Sequence, residues 1–255
     1  MDLKFKQEII DSLPDKHAEL LKNFEVAIKA IYEQSKQRHI WNSNPNSEIE
    51  LLNNQLDLLW SCYVNKFDEL YTGLVNSINE EHYLIYGMLG RSIIEHAATM
   101  RYYFKNALKP SIDKAVESGQ IENLRGINGL FDRFLRSGRF DWKAFFAGDF
   151  ESLMTKNKST NDLSQVNTLT CIQKWSKDKG SVEILYDLFC DLVHPNIGSS
   201  MLVMQTWDDG IGFGGNGKKF GHDILLKTIA GIILLFNEIK DYLKAMLLLQ
   251  IHDTD

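Results

Sequence analysis

The sequence predicts an all-α fold, a helical bundle of long helices. Apolar residues recur three and four positions apart over long windows, which is the helical period. Only 4 prolines interrupt 255 residues, so long helices can run unbroken. The chain lacks the alternation of strand and helix that builds a parallel sheet. The expected organisation is one helical domain over 1–255, with an N-terminal helical extension at 1–40, a helical insertion at about 110–178 and one small β-hairpin at about 201–215.

Asp15, just after Pro14, opens a helix running to about His39, with Leu20, Leu21, Phe24, Ala27, Ile28 and Ile31 at helical spacing. Residues 42–47, Asn-Ser-Asn-Pro-Asn-Ser, are dense in turn formers and break it. Ser47 caps the next helix, with Glu50 in capping-box position. That helix carries Leu51, Leu52, Leu56, Leu59, Trp60, Tyr63, Val64 and Phe67 and fades near Asn76. A third helix spans about Glu80 to Ala107 and ends before Pro110. Short helices follow at 111–118, 121–137 and 141–153, punctuated by glycines, and 156–161 reads as a polar loop. Residues 162–178 read as a helix with Asp162 as its cap. Ser181 caps a helix that stops at His194-Pro195. Met201 to Trp207 and Ile211 to Phe213, around Asp208-Asp209-Gly210, read as the hairpin. A last apolar helix covers about Phe220 to Ile251.

The hydrophobic fraction of 44% and charged fraction of 24% are those of an ordinary globular chain. A net charge of −6 excludes a wholly basic nucleic-acid binder. Residues 121–180 nonetheless hold ten basic and seven acidic side chains, a modestly basic segment on an acidic body. Cys62, Cys171 and Cys190 are too few and too scattered for a disulfide framework or a Cys-rich zinc site, and fit a reducing cytoplasm. The first residues lack the apolar run of a signal peptide. The greasiest stretch, Ile224 to Leu235, is shorter than the roughly 20 residues that span a bilayer, so no membrane is expected as a partner.

Two apolar helical stretches carry ionisable groups, and these are the candidate site. On the first, Arg91 and Glu95 are four apart, and Tyr102 lies within about 20° of Arg91 by the 100° helical step. On the second, Asp187, Asp191 and His194 form one line. If the helices pack, Arg91 pairs Asp187 or Asp191, and Glu95 accepts a proton from His194. Asp191 and His194 have the spacing of one di-iron half-site, but a second such motif is missing, so neither metal nor cofactor is expected. A nucleophile elbow is also missing. The Gly-rich stretch 210–217 before Lys218 and Lys219 lacks the ending of a P-loop and reads as a hairpin tip. Arg125 to Lys143 interleaves basic and aromatic residues, a pattern that serves either a core or single-stranded nucleic acid.

Arg91-x-x-x-Glu95 on one long helix, followed about a hundred residues later by Tyr186, His194-Pro195-Asn196 and a short hairpin, resembles a group of bacterial helical proteins of unassigned function related to the HEPN superfamily. The spacing from Arg91 to His96 is similar to that superfamily's Arg-to-His ribonuclease motif, with Ser92 where Asn, Asp or His is usual. The resemblance implies a metal-independent ribonuclease or nucleotide-binding protein of a phage-defence or toxin-type system. In that reading His194 exchanges a proton with a ribose hydroxyl, Arg91 holds the phosphate, and Glu95 or Asp191 orients the imidazole. Tyr102, Tyr186, Asn196, His96 and Asp187 complete the binding set. The expected partners are RNA or a nucleotide, a second copy of the chain through its helices, or another protein. The alternative is a non-catalytic protein-binding or regulatory module in which the same cluster is structural.

Overall fold

The computed structural model describes residues 3–37, 42, 44–119, 142–151, 167–202, 204–207, 210–213 and 218–249. Helices carry this body. After α1 (Gln7–Asp11), α2 (Asp15–Ser35) begins directly behind Pro14, which needs no hydrogen-bond acceptor there. α3 (Glu48–Asn79) is capped by Ser47, whose Oγ accepts from Glu50 N at 3.1 Å. The Glu50 carboxylate turns to Asn46 N at 2.6 Å and Asn42 Nδ2 at 2.5 Å, and these bonds hold its pKa below the ordinary carboxylate value.

The chain then reverses through a Schellman turn. Glu81 sits at φ 54°, its N–H bonds Ile78 O at 3.0 Å, and His82 N bonds Ser77 O at 2.7 Å. α4 (Tyr83–Tyr103) does not stop before Pro110. It widens into a π turn (Phe104–Leu108) and continues as α5 (Lys109–Ser118). Lys109 N reaches back five residues to Phe104 O, and Pro110 falls in the first turn of α5, where a missing N–H is tolerated.

α6 (Trp142–Phe146) is a single short helix. α7 (Thr168–Ser176) starts later than expected and is capped by Asn167, whose Oδ1 accepts from Leu169 N at 3.0 Å. Asp162, the expected cap, lies outside the described residues, as do 120–141 and 152–166 of the expected insertion. α8 (Ser181–Val193) has Gly180 rather than Ser181 at its N-cap and ends at an extended His194 before Pro195. A capping box between Asn196 and Ser199 opens α9 (Ile197–Met201). The last helix is α10 (Lys218–Leu248).

The hairpin expected over about 201–215 lies partly outside the described residues. Met201 closes a helix instead of opening a strand. Met204–Trp207 and Gly210–Phe213 run antiparallel, while 208–209 and 214–217 lie outside the described residues. Helices alone therefore define the class of the body.

α4 is the hub, packed against α3, α7, α8 and α10. Gly90 on α4 faces the Phe189 ring so closely that an added Cβ would lie 2.7 Å from Cζ. That slot admits the ring, which also meets Tyr86 edge-on at 5.8 Å. A second aromatic cluster, Phe24, Tyr71 and Phe236, joins α2, α3 and α10 with centroids 4.9 to 5.6 Å apart. α10 has the length and apolar composition of a membrane-crossing helix. Its Leu225, Ile229, Ile232, Phe236, Ile239 and Leu243 are nevertheless buried in the bundle, while Asp223, Lys227, Lys240 and Lys244 face out.

Candidate functional site

The two expected helices do pack, but the two polar lines do not meet. Phe189 in the Gly90 slot fixes the rotation of α8 about its axis. Residues two positions away are turned by about 200°. Asp187 and Asp191 therefore face water, and so does His194 one turn on. Burial of Val182, Phe189 and Leu192 decides this orientation, because ionised groups are costly to bury unpaired. The expected pairing of Arg91 with Asp187 or Asp191, and of Glu95 with His194, is replaced by other contacts.

Arg91 Nε donates to Glu95 Oε1 within α4 at 2.9 Å. Tyr186 is the residue of α8 that reaches this pair, its OH donating to the same Oε1 at 3.2 Å. The Arg91 guanidinium lies 5.8 Å from the centre of the Tyr186 ring. The bond to Glu95 raises the Arg91 pKa, and burial, helped by Cys190, pushes the Tyr186 phenol up to about 12. Asp191 accepts from Asn196 Nδ2 at 2.5 Å and so ties α8 to the cap of α9. Tyr102, two turns beyond Glu95, instead faces Lys174, whose Nζ lies 4.6 Å from its ring centre. His96 is turned inward, where burial and the nearby Lys66 charge lower its pKa. Among the described residues, three potential metal ligands of the His, Cys, Asp and Glu types nowhere gather.

A different cluster occupies the other end of α4. Arg101 is buried, with its side chain 5% exposed, yet it is ion-paired through Nη2 to Oδ2 of Asp178, which is 62% exposed. Its guanidinium lies 5.8 Å from the ring centre of Trp175. Lys105 Nζ stands 3.7 Å from the same Asp178 oxygen. Across from them, Glu238 of α10 accepts from Trp175 Nε1 at 3.1 Å through Oε2 and from Lys179 Nζ through Oε1. These groups line an open cavity of about 550 Å³, whose apolar side is formed by Phe104, Tyr242 and Ala245. Small-molecule sites commonly measure about 300–1,000 Å³.

The π turn helps to position this site. An i→i+5 turn inserts an extra residue into the helix and often accompanies function. Here it places Phe104 and Lys105 on the cavity wall while the helix continues past them. Sequence reasoning missed Arg101 because it sits ten residues past Arg91 and off its face. Its partners Asp178 and Trp175 are distant in the chain. One local cue was available: an Arg inside the apolar run from Ala97 to Phe104. The chain matches no protein-family model, no curated protein and no solved structure.

Proposed function

We propose that this chain is a non-catalytic helical binding module whose ligand site is the cavity around Arg101. One observation carries the reading. A nearly buried guanidinium, two lysines and three carboxylates line a small-molecule-sized cavity with an apolar wall. A buried charge pair is a weak source of stability, since apolar replacements often do as well. The ribonuclease reading needs Arg91 and His194 to act on one substrate. Arg91 is held by Glu95 and Tyr186, while His194 faces water on the outer side of α8.

Two measurements test this. RNA incubated with wild type, Arg91→Ala and His194→Ala should be cleaved at the same background rate by all three. Cleavage lost in both folded variants would restore the enzyme reading. In parallel, a panel of carboxylate, phosphate and amine fragments is titrated while the Trp175 indole ¹H–¹⁵N resonance is followed. At least one class should move it, and Ala245→Trp, which sets an indole into the apolar side of the cavity, should abolish the movement. A resonance indifferent to every class would reject the cavity as a ligand site.

A further inference from the structure

We infer that the cavity takes an organic monocarboxylate with an apolar body, and that Asp178 is a built-in occupant of its anion position. The inference rests on the reading of the cavity as a ligand site. Asp178 Oδ2 is the point on which Arg101 and Lys105 converge, so this spot is already selected for a carboxylate oxygen. The residue holding it is more than half exposed and lies in the turn just after α7, where a side-chain rotation releases it to water. Among the described residues only one of its two oxygens is engaged. A free carboxylate could take both, because a guanidinium binds carboxylates through two parallel N–H···O bonds.

Charge selects the class of anion. Arg101, Lys105 and Lys179 face Asp178, Glu238 and Asp241, so the lining is neutral. When Asp178 swings out, the lining carries one net positive charge. Both Glu238 oxygens are committed to Lys179 and Trp175, which keeps that carboxylate in place. A monoanion balances the site. A phosphate dianion overshoots it, and its second charge faces Glu238 and Asp241. Beyond the charged rim, Phe104, Tyr242 and Ala245 offer an apolar surface for the rest of the ligand. Binding then competes with an internal carboxylate, so the apparent affinity is lowered by the fraction of time that Asp178 occupies the position.

The test uses the full chain and three probes that share a phenyl body: phenylacetate, neutral phenylacetamide and phenyl phosphate. Each is titrated into wild type, Asp178→Asn and Lys105→Gln, following the Trp175 indole resonance, with circular dichroism confirming the fold. Phenylacetate should bind Asp178→Asn about tenfold more tightly than wild type if the internal carboxylate holds the position about nine-tenths of the time. It should bind Lys105→Gln several-fold more weakly, and the amide should not compete. Equal phenylacetate affinity in wild type and Asp178→Asn overturns the inference, as does equal binding of the amide or preference for phenyl phosphate. In those cases the cavity still binds and the proposed function stands. Silence of the Trp175 resonance toward all three probes also overturns the inference. The proposed function then falls only if the wider fragment panel is silent as well.

Discussion

Arg101 and Asp178 form one ion pair from unequal partners, and removing either one should have a different effect. Arg101 is 5% exposed at its side chain and Asp178 is 62% exposed. Asp178→Ala leaves a guanidinium buried without its carboxylate. A hydrogen bond to a charged group is worth about 1.5–3 kcal/mol. Solvent at Asp178 screens this one, so the expected loss is about 1–2 kcal/mol. Arg101→Met keeps similar volume over the Trp175 ring and leaves behind an aspartate that water solvates. It also removes the cost of desolvating the cation. Apolar replacement of a buried charge is often neutral or stabilising, so the stability change should stay within about 1 kcal/mol. For a chain near this size about 2–4 °C of Tm corresponds to 1 kcal/mol. Thermal unfolding followed by circular dichroism should therefore rank Arg101→Met at or near wild type, with Asp178→Ala about 2–8 °C lower. The reverse ranking would show that Arg101 is retained for stability and would remove the buried cation as a mark of a ligand site.

Gly90→Ala should lose about 1–3 kcal/mol in urea unfolding, because the new methyl would meet the Phe189 ring at 2.7 Å; unchanged stability would mean that α8 shifts freely. Glu81→Gly should gain about 0.5–1 kcal/mol by relieving a left-handed backbone at φ 54°, and a loss would show that the Glu81 side chain outweighs that strain. His96 has its pKa lowered from 6.5 by burial, so the unfolded chain takes up the proton first. Its contribution to stability is complete above that value and declines as pH falls below it. The Tm of wild type should thus drop more than that of His96→Gln between about pH 7 and about pH 5, and parallel curves would contradict the assignment.

The helical class was legible because it depends on local periodicity and on few prolines. Ser47 as a cap and the stop at His194-Pro195 were equally legible, since each depends on neighbours within a few residues. Pro110 misled because a π turn is a backbone adjustment without a sequence signature of its own. The candidate cluster was half legible. Arg91 and Glu95 do pair, as four-residue spacing on a helix allows. Which side of α8 meets them was set by Phe189 entering the slot at Gly90, a contact between residues about a hundred positions apart. That rotation brought Tyr186 inward and sent Asp187, Asp191 and His194 out to water. The Arg101 cavity draws on α4, the π turn, the end of α7 and α10, so its parts share a neighbourhood only once the bundle is assembled.

The most direct test of the Arg101 cavity as the ligand site is a ¹H–¹⁵N map of the Asp178→Asn protein titrated with phenylacetate. The chain has 5 tryptophans, and Trp175→Phe identifies the indole that donates to Glu238. The largest saturable shifts should fall on that indole and on the amides of Lys105, Lys179 and Tyr242. Shifts centred on Arg91, Tyr186 and His194, with the Trp175 indole unmoved, would place the site at the other end of α4 and contradict the account.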